Sequence, residues 1–161
     1  MYDYYCDTIT RNRQLERKPM DALNMAGHWI RRLHQHSTAV FIEATQAQGY
    51  DLTPVQFAAL DAINSHPGSD QAAVAAMIGY DRATIGGVID RLDKKGWVTR
   101  VVSDRDRRAR ELSLSAEGTK VYAAIKPIVT ALQQDILAPL SDTERAQLIQ
   151  LARRAVEAGR N

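Results

Sequence analysis

Only Gly79 and Tyr80 stand between two stretches that each carry their own helix signals, and this spacing constrains the chain more than anything else in it. Asp70 is placed to cap an alanine-rich run that reaches Ile78 and stops at Gly79. Asp81 is placed to cap a second run, Arg82 to Lys95, closed by Gly96. So short a link forces the two helices to meet steeply, as a helix-turn-helix. Directly after Gly96 the apolar period drops from about 3.6 residues to about 2. Trp97 to Val102 and Arg110 to Leu114 therefore read as strands, with the polar, charged Ser103 to Ala109 as the tip of a hairpin.

The flanking sequence is helical. From Asp21 to about Gln48, Leu23, Ala26, Ile30, Leu33, Ser37, Val40, Phe41 and Ala44 share one face, and Gly49 ends the helix. Thr53, Pro54 and Gln56 supply an N-cap, an N1 proline and a capping-box partner for a helix that turns Phe57, Leu60 and Ile63 inward. Ser115 with Gly118 opens a long helix through Tyr122, Ile125, Val129, Leu132 and Ile136, which Pro127 is expected to bend. Ser141 and Glu144 form a capping box for a last helix bearing Leu148, Leu151 and Val156.

The expected fold is mainly α with a small β-hairpin wing. A winged helix-turn-helix core, about 53–114, lies between an N-terminal helix, about 21–48, and C-terminal helices, about 115–158. These form one domain, 20–161, after an N-terminal extension, 1–19. The outer helices are more apolar than a core this small can bury, and one recognition helix gains specificity from a two-fold partner. Both points favour a homodimer joined through those helices.

Several classes are excluded by composition. With 45% apolar and 25% charged residues the chain is ordinary globular protein. Its plainest apolar run, Ala72 to Ile78, is far too short for a bilayer. No basic segment followed by an apolar one opens the chain, and Cys6 is the single cysteine, so no internal disulfide framework exists. A cytoplasmic protein is expected. No phosphate-binding glycine loop or nucleophile elbow is present, so no catalytic residue and no cofactor are assigned.

The net charge is only +2, but its distribution is uneven. Arg91, Lys94, Lys95, Arg100, Arg105, Arg107, Arg108 and Arg110 fall in one stretch, against Asp90, Asp93, Asp104 and Asp106. A basic focus beside a helix-turn-helix suits double-stranded DNA and a palindromic operator. The start of the second helix offers Arg82, Ala83 and Thr84 to base edges in the major groove, with Gly87 and Arg91 farther along. Its first amides are available to a phosphate. The hairpin tip offers Arg105, Arg107 and Arg108, with Arg110 at its base, to the adjacent minor groove. The plain alternative for Asp104 to Arg110 is a salt-bridged surface turn.

Taken together, these segments resemble the MarR family of transcriptional regulators. The matching residues are Leu52-Thr53-Pro54-Val55-Gln56-Phe57, Asp81-Arg82-Ala83-Thr84 through Val88-Ile89-Asp90-Arg91-Leu92, Lys95-Gly96-Trp97-Val98, Asp104-Arg105-Asp106-Arg107-Arg108 and Leu114-Ser115-Ala116-Glu117-Gly118. The resemblance runs from about Asp21 to the C-terminus. It implies a homodimeric repressor of a nearby gene, joined by its first and last helices and weakened on DNA by a small aromatic or phenolic acid. One departure stands out. Gly86 and Gly87 occupy positions where relatives often carry a larger polar side chain aimed at bases.

For such an effector, Trp29, Arg32 and His36 cluster on one edge of the first helix. Arg32, or Arg31 if the helix is rotated by one position, would pair a carboxylate, His36 a carboxylate or hydroxyl, and Trp29 with Phe57 would flank a ring. The competing reading is an interface helix edged with solvated charges. His28 and His36 are two turns apart, too far to share an ion, so no metal site is assigned. Two other functions are weighed: an architectural DNA-binding protein without effector, and an oxidant sensor acting through Cys6, against which the lack of an activating neighbour argues.

Overall fold

A computed structural model of the chain describes residues 21–102 and 110–158. A 3-10 turn, Asp21–Asn24, precedes α1 (Ala26–Gln46), α2 (Pro54–Ser65), β1 (Ser69–Asp70), α3 (Gln71–Ile78) and α4 (Arg82–Lys94). Then come β2 (Val98–Val102), β3 (Arg110–Leu114), α5 (Ala116–Ile136) and α6 (Asp142–Ala158). The expected order of four helices, hairpin and two helices is present. Among the described residues no single helix is long and apolar enough to cross a membrane.

Local side chains start the helices as expected. The Thr53 hydroxyl accepts from the Gln56 amide while the Gln56 side chain accepts from the Thr53 amide, closing the capping box of α2. Asp70, Asp81 and Ser115 each accept from the amide three residues on, and Ser141 with Glu144 forms the reciprocal pair before α6. α3 ends on Gly79, whose φ of 73° is left-handed and cheap only for glycine. α5 runs through Pro127 as one helix.

The chain divides into two compact units between Gln35 and His36. In the first, the Trp29 indole donates to the Leu23 carbonyl at 2.7 Å and meets the His28 ring edge to face. In the second, Leu60, Ile63, Val74, Ile85, Ile89, Leu92, Val98, Leu112 and Ile125 form the fully buried centre. The sheet orders its strands β1-β3-β2, all antiparallel. β1 was not expected. Ser69 pairs with Leu112 and Asp70 with Glu111, and two residues are too few to display a strand's alternation.

The shared apolar face of α1 is covered only toward its C-terminal end. Leu23, Ala26, Ile30 and Leu33 are exposed, and of that face only Phe41 is buried. Thr45 is buried with it, its hydroxyl donating back to the Phe41 carbonyl at 3.0 Å. α6 likewise buries no residue, and Leu151 and Val156 are exposed. Among the described residues, Ile30, Leu33, Leu151 and Val156 stay exposed, while Val40 and Ala44 are half-buried against the core.

Candidate DNA interface

α3 and α4 meet at 109°, joined by Gly79, Tyr80 and the capping Asp81. Ile85, Val88, Ile89 and Leu92 are buried, which fixes the roll of α4 and turns Arg82, Ala83, Thr84 and Arg91 to solvent. Three of the expected contact residues are therefore exposed in the first turn of the helix, and Arg91 is exposed in its last turn.

The detail of that helix start differs from expectation. Asp81 Oδ1 accepts from the Thr84 amide at 2.8 Å, so that amide is not offered to a phosphate. Asp81 Oδ2 accepts the Thr84 hydroxyl proton at 2.6 Å. Hydrogen bonds from the Thr84 side chain and then from its amide hold the Asp81 carboxyl below the usual carboxylate range. The glycines also separate in role. A β-carbon at Gly86 would stand 3.1 Å from the Gln71 side-chain nitrogen, so Gly86 faces α3 and is not a vacant reader position. A β-carbon at Gly87 would stand 3.5 Å from an Arg91 guanidinium nitrogen, so Arg91 reaches back over bare backbone.

Not every cation of the basic stretch faces outward. Arg100 bridges Asp90 and Asp93, with its Nε 3.4 Å from Asp93, and so ties β2 to α4. Lys95 pairs with Asp51 at 3.0 Å and lies 4.9 Å from the centre of the Trp97 ring. These two belong to the scaffold. Arg110 is exposed at the end of β3, opposite Val102. The tip arginines Arg105, Arg107 and Arg108 lie outside the described residues.

Of the expected effector residues, Trp29, Arg31 and Arg32 belong to the first unit and are exposed, with Arg31 bonded to Gln35. His36 and Phe57 belong to the second. The His36 ring lies 3.1 Å from the Ile136 carbonyl and donates to it through Nε2. Phe57 is half-buried and stacked on Tyr122 at 6.0 Å. Around that stack lies a polar cluster that the sequence reading missed. Tyr122 and Lys126 both donate to Asp61, at 2.5 and 2.6 Å. Burial raises the Asp61 carboxyl, but hydrogen bonds from Lys126 and Tyr122 and the Lys126 charge outweigh it and leave the carboxyl below its usual range. The signal was the four-residue spacing of Phe57 with Asp61 and of Tyr122 with Lys126.

A pocket of about 450 Å³ opens between α2 and the end of α3, lined by Asp61, Ser65, His66, Met77 and Ile78 among others, and none of the expected effector residues lines it. Among the described residues no three His, Cys, Asp or Glu side chains stand close enough to hold a metal ion.

The winged arrangement agrees with comparison to known proteins. Residues 50–109 match the model described as "MarR family". The transcriptional regulator HosA of Escherichia coli O111:H- is 34% identical, aligned over 84% of this chain and 97% of its own length. This chain belongs to the MarR family. It is a transcriptional regulator of MarR type with a DNA-binding winged helix fold. The MarR-type PcaV regulator from Streptomyces coelicolor, solved with its natural ligand, superposes with a TM-score of 0.80 at 32% identity, covering 88% of this chain and 99% of that one. Bordetella bronchiseptica BpsR, whose DNA binding is regulated by 6-hydroxynicotinic acid, superposes at 0.79 with 25% identity, covering 86% of this chain and 98% of that one.

Proposed function

We propose that this MarR-family regulator is a homodimeric, cytoplasmic repressor that reads a palindromic operator and is released from it by a small aromatic carboxylate. The observation that carries the reading is α4. Its first turn exposes Arg82, Ala83 and Thr84 on a helix set at 109° to α3. A helix so held enters the major groove with its first residues against base edges, and Arg91 follows beside Gly87. Arg105, Arg107, Arg108 and Arg110 of the wing take the neighbouring minor groove and phosphates.

The uncovered apolar residues of α1 and α6 supply the partner contact. Ile30 and Val156 are 68% and 62% exposed, more than isolated surface apolar residues need explain when several lie on the same helix. A two-fold dimer sets its recognition helices about one turn of DNA apart and occludes a promoter by occupying it.

The effector reading is supported by the aromatic acid that regulates BpsR and by the edge of α1 that carries Trp29, Arg31, Arg32 and His36. Arg32 is assigned to the carboxylate, with Arg31 as the alternative, and Trp29 to the ring. An acid releases the operator only through unequal affinity for the free and DNA-bound forms, typically a coupling of about 1–3 kcal/mol.

The test is footprinting followed by titration of the operator complex with hydroxybenzoates and pyridine carboxylic acids, their methyl esters serving as controls. Protection of a pseudo-palindrome on one face and release by acids alone are expected. Release by esters removes the arginine assignment. No release by any acid leaves a constitutive DNA-binding protein, and protection of one asymmetric site by a monomer removes the dimer.

A further inference from the structure

Thr84 has one proton to give, and Asp81 already holds it. The hydroxyl donates to Oδ2 of the cap at 2.6 Å, while Oδ1 takes the Thr84 amide at 2.8 Å. Both residues are exposed. Toward the outside they present the unused lone pairs of the Thr84 hydroxyl, those of the carboxylate and the Thr84 methyl, and no side-chain donor. Arg82 stands two residues before Thr84, about 160° away round the helix, and so does not share that edge.

We propose that Asp81 is a specificity-determining residue: by holding the Thr84 proton it converts the start of α4 into an acceptor-only edge that selects adenine or cytosine and rejects guanine or thymine at one position of each half-site. The inference rests on α4 being the reading helix and deepens that reading. In the major groove adenine and cytosine offer exocyclic amines, while guanine and thymine offer carbonyl oxygens. Two acceptors facing an amine make a bond; two acceptors facing a carbonyl repel, and a carboxylate repels most. The carboxylate state persists at neutral pH, because the same two hydrogen bonds hold the Asp81 carboxyl below its usual range. A negative charge among phosphates is otherwise unfavourable, so the amine contact compensates only on the matching sequence.

Asp81→Asn isolates the effect. Its oxygen still takes the Thr84 amide, so the cap remains. Its nitrogen donates to the Thr84 hydroxyl oxygen, which frees the hydroxyl proton to point outward and meet a carbonyl.

The experiment is selection of binding sequences from a duplex library randomised across both half-sites, using the purified full chain and its Asp81→Asn, Thr84→Ser and Thr84→Val variants, each checked for folding by circular dichroism. The wild type is expected to favour adenine or cytosine on the order of tenfold at one position per half-site. Thr84→Ser, which keeps the hydroxyl, is expected to retain that bias. Thr84→Val is expected to weaken it, and Asp81→Asn to reduce it severalfold at that position relative to the rest of the site. A profile unchanged in shape for Asp81→Asn, with affinity lowered equally on every sequence, makes Asp81 a helix cap only and overturns the inference. A wild type that selects no sequence overturns the DNA-reading assignment of α4 and this inference with it.

Discussion

Gly118, in the first turn of α5, lies so close to Trp97 that a β-carbon at 118 would stand 1.8 Å from the Trp97 carbonyl oxygen. The same oxygen accepts from the Ser115 amide at 3.0 Å, and the Ser115 hydroxyl donates to the Gly96 carbonyl at 2.6 Å. The start of α5 is thereby seated on the turn that joins α4 to the wing, backbone against backbone. An exposed helical glycine changed to alanine would gain roughly 1 kcal/mol. Here the sign reverses. Gly118→Ala is expected to cost about 1–3 kcal/mol or more, because neither backbone can yield as a side chain would. A higher urea midpoint than wild type would contradict this contact.

Arg100 reaches from β2 to both Asp90 and Asp93 of α4, and its side chain is 28% exposed. Arg100→Ala is expected to cost on the order of 1 kcal/mol and to speed hydrogen exchange across Val98–Val102 more than in α2. Arg100→Lys restores less than half of that protection, since one ammonium does not match two carboxylates in the manner of a planar fork. Equal exchange in α2 and β2 would mean global destabilisation instead.

The tie between α2 and α5 is predicted to depend on pH at both ends. The folded Asp61 carboxyl lies below its ordinary 3.8, so its contribution is present above that value and is lost as pH falls through the lower folded value. The folded Lys126 ammonium lies above its ordinary 10.5, held there first by its hydrogen bond to Asp61. Its contribution is complete below 10.5 and disappears as pH rises through the higher folded value. Melting temperatures of wild type and Asp61→Asn should differ between about pH 5 and 10 and converge once the pH has fallen below the lowered folded value of Asp61. Both side chains are substantially exposed, so the difference corresponds to no more than about 1 kcal/mol.

Charging the uncovered apolar residues tests the dimer without touching the core. Ile30→Asp on α1 and Val156→Asp on α6 are each expected to leave far-ultraviolet circular dichroism intact and to shift sedimentation toward the monomer. Operator affinity should fall at least tenfold, since half-sites are then bound singly. A variant that remains dimeric removes its residue from the interface.

The wing contributes through Arg108 if it enters the minor groove. Arg108→Ala should weaken operator binding, lessen the preference for A·T pairs beside the palindrome and lower the salt dependence by roughly one counterion. A full A·T preference in the variant would exclude the groove contact.

Much of this fold is legible without coordinates because its punctuation is local. Thr53 with Gln56, Asp70, Asp81, Ser115, and Ser141 with Glu144 start helices through partners three residues away, and Gly79 and Gly96 end segments through their own left-handed backbone. That local logic also placed Arg82, Ala83 and Thr84 in an exposed first turn. It did not show where the Thr84 proton goes, although the partner is only three residues away, because a cap's second oxygen has several possible uses and a rotamer chooses among them. The rest was decided by pieces of chain brought together from far apart. Asp61 meets Tyr122 and Lys126, Lys95 meets Asp51, Gly118 meets Trp97, and Ser69 pairs with Leu112. Periodicity names the face of a helix that is apolar, but only tertiary structure says whether anything in the same chain covers it. For Phe41 something does, and for Ile30, Leu151 and Val156 nothing among the described residues does. Burial is a property of the space between elements, and that space is set by packing rather than by the order of residues along any one of them.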